Sequence, residues 1–224
     1  MADTAASSKR IALIHALAHS TAPVQEEFER QWPECRLMNL LDDSLSADLA
    51  ATRAGLDIAM YQRFQALADY AVSTGADAIL FTCSAFGPCI EAVARRHADI
   101  PVLKPNEAMI AEAVRLKTRV GLVASFAPTL QSMPGEFPAG SEIDCELADG
   151  AMAALDSGAM AEHDRLVVAA AARLRRRGCG AIALTQFSMA RAAGDVQAAI
   201  ELPVLTTVGS AVAQLRARLL GTHG

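Results

Sequence analysis

Two stretches, Gly75-Ala-Asp-Ala-Ile-Leu-Phe-Thr-Cys83 and Gly178-Cys-Gly-Ala-Ile-Ala-Leu-Thr-Gln186, carry Gly, Ala, Ile and Thr at the same places. Two further pairs keep the same order along the chain: Arg10-Ile-Ala-Leu-Ile14 with Arg119-Val-Gly-Leu-Val123, and Ile100-Pro-Val-Leu103 with Leu202-Pro-Val-Leu205. Every pair is offset by about a hundred residues, so the two halves are copies of one supersecondary unit. Short runs rich in Val, Ile and Leu, bounded by Gly, Pro or polar residues, suit strands covered on both faces.

Helical periodicity fills the spaces between these runs. Residues 57–73 place Ile58, Tyr61, Phe64, Leu67, Ala68 and Ala71 on one stripe, and residues 162–177 do the same with Leu166, Ala169, Ala170 and Leu174. Gly75 and Gly178 follow these segments, where a residue tolerant of positive φ ends a helix. Further strands are expected over 35–41 and 142–147, and further helices over 88–97 and 107–116, the latter capped by Asn106. A final helix starts at Gly209 or Ser210 and ends near Leu220. Residues 128–140 carry Pro128, Pro134, Gly135, Pro138 and Gly140 and read as a loop placed to cover a cleft. Strands alternating with helices imply parallel sheets. The expected fold is α/β, with two pseudo-symmetric Rossmann-like lobes, each around a mostly parallel four-stranded sheet, and an active-site cleft between them. Residues 1–104 plus 208–224 form the first lobe and residues 105–207 the second.

Composition narrows the function classes. With 224 residues, 52% of them hydrophobic, the chain can bury a substantial core. Twenty Lys and Arg against 25 Asp and Glu leave a formal net charge of −5, which gives no footprint for nucleic acid or an anionic membrane. The apolar run 11–18 behind Lys9 and Arg10 has the outline of a signal peptide, but His15 and His19 break it. No stretch reaches the ~18 apolar residues of a membrane span, so the expected location is cytoplasmic. The five cysteines, Cys35, Cys83, Cys89, Cys145 and Cys179, include no Cys-x-x-Cys pair and no Cys/His zinc spacing. Neither a disulfide framework nor a metal is expected.

In parallel α/β sheets, ligands collect beyond the carboxyl ends of the strands, where loops and helix N-termini supply free N–H donors. The repeat puts Thr82-Cys83-Ser84-Ala85, Ser125-Phe126-Ala127 and Thr185-Gln186-Phe187-Ser188 there, and aims Cys83 and Gln186 at one cleft. A thiolate is a good proton carrier to and from carbon once a helix N-terminus draws its pKa toward neutrality, and Cys83 stands just before the helix over 88–97. The plain alternative is a buried, inert cysteine on an apolar strand. An amide such as Gln186 cannot remove a proton near pH 7, but it can hydrogen-bond a carboxylate or enolate oxygen, or else satisfy loop backbone. Ser84, Ala85, Ser125, Thr129 and Ser188 offer hydroxyls and backbone N–H groups to a carboxylate, although each hydroxyl could equally cap a helix. His15 ends the first strand and could orient or protonate a ligand, with His19 following in a loop; a lone histidine there is more often structural. Phe126 and Phe187 flank the cleft and could wall an apolar group, or simply belong to the core. The run Arg173-Leu-Arg-Arg-Arg177 is the solvated end of a helix, suited to its dipole.

The two-fold repeat with Thr-Cys-Ser-Ala after the first lobe's third strand, and Asn106-Glu-Ala108 after its fourth, resembles the aspartate/glutamate racemase superfamily. That superfamily includes glutamate, aspartate and hydantoin racemases, maleate isomerase and arylmalonate decarboxylase. The resemblance covers nearly the whole chain. It implies a cofactor-independent enzyme working on a small carboxylate-bearing substrate, with self-association left open. In the racemases two cysteines face each other across a carbon next to a carboxylate. Cys83 matches the first, whereas this sequence has Gln186-Phe187 where the second is followed by Thr. Cys179 cannot substitute, standing at the other end of the strand, some ~23 Å from Gln186 at ~3.3 Å per residue. One base is left, which suits decarboxylation with protonation on one face, as in the arylmalonate decarboxylase, although there the retained cysteine belongs to the second lobe. The alternatives are a racemase or isomerase with another second base, and a non-catalytic carboxylate-binding protein.

Overall fold

The computed structural model describes residues 8–52 and 55–221; of the expected first lobe, residues 1–7, 53–54 and 222–224 lie outside the described residues. In chain order the elements are β1 (Arg10–His15), α1 (Thr21–Gln31), β2 (Arg36–Leu41), α2 (Ser44–Ala51), α3 (Ile58–Ser73), β3 (Ala78–Phe81), α4 (Gly87–Arg96), β4 (Val102–Leu103) and α5 (Glu107–Arg115). The second half follows with β5 (Val120–Ala124), α6 (Ala127–Ser132), β6 (Ile143–Leu147), α7 (Ala151–Asp156), α8 (Met160–Arg176), β7 (Ala181–Leu184), α9 (Ala193–Ile200), β8 (Val204–Thr206) and α10 (Thr207–Leu220).

The strands form two four-stranded sheets, ordered β2-β1-β3-β4 and β6-β5-β7-β8. Every pairing is parallel, with Ile14 opposite Phe81 in the first sheet and Val123 opposite Leu184 in the second. The two halves are thus the same sheet built twice, as the sequence repeat requires. The central strands β1, β3, β5 and β7 are buried almost throughout, because helices cover both faces. Asp57 opens α3 by accepting the Met60 N–H at 2.8 Å. Gly75 and Gly178, at φ +82° and +88°, release the chain from α3 and α8 into the next strand.

Packing joins the lobes. Ile11, Leu13 and Leu80 of the first sheet share one apolar cluster with Phe187 and with Val208, Ala211, Val212 and Leu215 of α10. Phe126, which follows β5, packs against the other face of the first lobe. Three local expectations change. Residues 128–140 are not a plain loop: α6 and a 3-10 turn, Met133–Glu136, cover all of it up to residue 136. Pro128 and Pro134 sit in the first turns of these helices, where their missing N–H costs nothing. Asn106 occupies the cap position of α5 without capping: its amide N–H donates to Glu136 Oε1 at 3.1 Å, and its Oδ1, the atom a cap would use, is buried without a partner. The last helix begins at Thr207, two to three residues earlier than its small polar residues suggest.

Candidate active site

β3 and β7 end in the same way. Cys83 and Gln186 each stand two residues past the strand, each in extended backbone (φ −118°, ψ 121° and φ −132°, ψ 143°), and each starts a 3-10 turn, Ser84–Phe86 and Phe187–Ala192. The repeat therefore puts a thiol and a carboxamide in equivalent positions. Their neighbourhoods meet across the seam between the lobes, where the Ser84 hydroxyl donates to Thr129 Oγ1 at 3.3 Å, both groups buried.

The Gln186 side chain is fixed by its oxygen. Oε1 accepts the Ser125 N–H at 2.6 Å, the Phe126 N–H at 3.1 Å and the Ser125 hydroxyl at 3.2 Å. These donors end β5 and open α6, so the carbonyl fills the kind of backbone N–H cradle that favours an oxyanion. With the oxygen held inward, the amide nitrogen is the group left over. Nε2 is buried and has no hydrogen-bond partner. The buried Ser188 hydroxyl is also without one.

Cys83 is 7% exposed. It shares a nook too tight for a water molecule with Ile14, Ala16, Leu45, Phe64 and Phe81, and with the His15 ring. Burial pushes the thiol up to about 11, and the Ala85 N–H and the Ser46 hydroxyl beside the sulfur only partly oppose this. The expectation of a thiol drawn toward neutrality is therefore corrected: a 3-10 turn separates Cys83 from α4, and desolvation outweighs the nearby N–H donor.

His15 is fully buried with both ring nitrogens engaged. Nε2 donates to Asn39 Oδ1 at 2.9 Å, and Nδ1 accepts the Thr82 hydroxyl at 2.9 Å. Burial lowers its pKa despite the Asn39 bond, which holds the ring neutral. It borders the Cys83 nook as a carbon face, with no free nitrogen. His19 belongs to a 3-10 turn, Ala18–Ser20, and its Nε2 lies 2.9 Å from Asp156 across the seam. The two phenylalanines do not flank a cleft symmetrically: Phe187 is fully buried in the cluster beneath β1, while Phe126 is half-buried. Phe126 lines a groove of about 670 Å³ with Ser125, Pro128, Leu147 and Met152 on one side and Leu49 on the other. Cys179 lies before β7 begins, at the far end from Gln186. Sequence reasoning missed α2, whose Leu45 lines the Cys83 nook and whose Ser46 is buried beside it; nothing in a short Ser-Leu-Ser-Ala segment marks it as a cover for a distant strand end.

Among the described residues, no group of three or more His, Cys, Asp or Glu side chains could hold a metal ion, and no helix is long and apolar enough to cross a membrane. Residues 14–215 match the Asp/Glu/Hydantoin racemase family. The chain belongs to that family. By sequence, no curated protein matches it significantly. Among solved structures it is similar to glutamate racemase from Francisella tularensis subsp. tularensis in complex with D-glutamate, with TM-score 0.75, 13% identity, and 96% of this chain and 82% of that one covered. It is also similar to allantoin racemase from Klebsiella pneumoniae, with TM-score 0.69, 20% identity and coverage of 96% and 89%. Unliganded arylmalonate decarboxylase matches with TM-score 0.61, 14% identity and coverage of 97% and 95%. At these identities the likeness speaks for the fold.

Proposed function

We propose that this family member is an enzyme acting at the carbon α to a carboxylate with Cys83 as its single proton carrier, and that its reaction is decarboxylation rather than racemisation. The observation behind this reading is the inequality of the two equivalent strand ends. A racemase needs a base on each side of the reacting carbon. Here the second position holds an amide whose oxygen is already committed to the Ser125 and Phe126 N–H groups. His15, with both nitrogens engaged, does not make up for it.

In the proposed reaction the substrate's second carboxylate leaves as carbon dioxide, and its bonding pair stays on the α-carbon as an enediolate. The Cys83 S–H protonates that carbon on one face, and solvent reprotonates the sulfur. Gln186 Nε2 is the donor offered to an enediolate or carboxylate oxygen, and Ser84, Ala85, Thr129 and Ser188 supply the remaining hydroxyl and N–H groups around it, while Ser125, whose N–H and hydroxyl both go to Gln186 Oε1, holds the amide in place. The raised thiol pKa suits a group that must hold a proton until a carbanionic carbon takes it. The partner is a small carboxylate-bearing molecule. A screen of substituted malonates, amino acids and hydantoins tests the reading: carbon dioxide release from a malonate, abolished in Cys83→Ala, is expected. Turnover of the same malonate by Cys83→Ala would overturn it.

A second reading rests on the sealed thiol. A protein that binds a carboxylate without turning it over would also tolerate a cysteine with its pKa pushed up to about 11. Tight carboxylate binding with no product in any arm of the screen would select it.

A further inference from the structure

Cys83 is only 7% exposed and the nook beside it has no room for a substrate, so a substrate reaches the sulfur only after something moves. β1, β3 and α3 form three of its walls, and they are tied into the core, with Phe64 stacked 5.2 Å from Phe81 and 4.9 Å from Phe86. Parting the lobes would tear open the cluster that joins Phe187 to Ile11 and Leu13. The remaining wall is Leu45, on α2. That helix buries only Leu45, Ser46 and Leu49 and turns the rest of its surface to solvent. Leu49 and Ala50, on the same helix, line the open groove beside Phe126 and Pro128. α2 is thus the partition between the sealed thiol and that groove.

Besides the packing of Leu45 and Leu49 into the core, a single arginine clasps the partition among the described side-chain hydrogen bonds. Arg63, on α3, donates from Nη1 to Asp48 Oδ2 at 2.6 Å, and from Nη2 to Asp42 Oδ2 at 2.9 Å and to the Ser44 hydroxyl at 2.5 Å. The three acceptors lie just before α2, at its first residue and in its second turn, so one guanidinium pins the helix along half its length. The clasp is 30% exposed on the arginine side, and ion pairs of that kind are weak enough to open on the timescale of turnover.

We propose that α2 is a lid over Cys83, latched by Arg63, and that lifting it joins the thiol's nook to the groove beside Phe126 as one substrate chamber. Closing returns Leu45 and the Ser46 hydroxyl to the sulfur and expels water. The meaning of the lid rests on Cys83 being the reacting group, but its movement can be read without any substrate, so loss of turnover in Cys83→Ala and the test below fail independently.

The test is brief iodoacetamide treatment at pH 8 with mass mapping of each cysteine, in wild-type protein and in Arg63→Met and Arg63→Lys. In wild-type protein Cys83 is expected to react more slowly than half-exposed Cys145. In Arg63→Met its rate should rise roughly tenfold, the factor given by ~1.4 kcal/mol of lost ion pairing, and in Arg63→Lys by less. Cys89, fully buried on α4, should stay unlabelled in all three. An unchanged Cys83 rate in both variants would overturn the proposal. So would a parallel rise at Cys89, which would mean general loosening.

Discussion

Replacing Gln186 by Met keeps the side chain's length and most of its volume while deleting the oxygen that three donors share. The Ser125 N–H is buried and loses its only acceptor; the Phe126 N–H is partly buried and regains water in part. Orphaning a buried donor costs ~1–3 kcal/mol, so the two together cost about 2–4 kcal/mol. The same substitution removes Nε2, a buried donor that wild-type protein already leaves unpaired, and this returns ~1–2 kcal/mol. The net expectation is a loss of about 0–3 kcal/mol, centred near ~1.5 kcal/mol, with a Tm lower by roughly 2–4 °C per kcal/mol for a chain of this length. Urea unfolding followed by far-UV circular dichroism measures it, with Ser188→Ala as control. The Ser188 hydroxyl is likewise buried and bonds to nothing, so by the same reasoning its removal should leave the protein as stable or more stable, by up to ~1–2 kcal/mol. A Gln186→Met variant as stable as Ser188→Ala would refute the argument that the amide oxygen holds the β5–α6 junction.

The next two expectations are independent of that site, and a third returns to it. Gly121→Ala should destabilise by about 1–3 kcal/mol in the same unfolding assay, because its Cβ would come within 2.8 Å of Ile182 Cδ1 and 2.9 Å of Leu174 in the middle of a packed sheet. Asp77 accepts the Arg10 N–H at 2.8 Å and pairs with Lys9, and these hold its carboxyl below the usual carboxylate range. A lowered pKa contributes stability above the unfolded value near ~4 that is lost as pH falls through the folded value, so Asp77→Asn should flatten the acid limb of a stability-against-pH curve. Gln186→Cys restores a thiol at the second strand end. Wild-type protein should racemise free aspartate or glutamate little, and any such activity, followed by chiral chromatography, should rise in the variant.

The repeat made the sheets legible from sequence. Ala78–Phe81 and Ala181–Leu184 lie inside the matched stretches, and the expected strands over 35–41 and 142–147 differ from β2 and β6 by one residue. Buried parallel strands are nearly continuous apolar runs, so their signal survives without context. α6 was hidden because two prolines in a short stretch read as breakers, whereas proline in a first helical turn is harmless. At the site, the position of Cys83 and Gln186 followed from the repeat, but their environments did not. That Gln186 turns its oxygen toward Ser125, 61 residues away, and that Leu45 of α2 covers a thiol 38 residues away, are contacts which no local pattern encodes.

The central claim is that one thiol delivers one proton to one face of the carbon. Incubation of the protein with a prochiral disubstituted malonate in deuterium oxide, with mass spectrometry and chiral chromatography of the product, tests it most directly. The expected result is carbon dioxide release, one deuterium at the α-carbon, a single enantiomer in excess, and none of this in Cys83→Ala. Racemic product, or efficient exchange of the α-hydrogen of both enantiomers of an amino acid by wild-type protein, would contradict it and require a second base opposite Cys83.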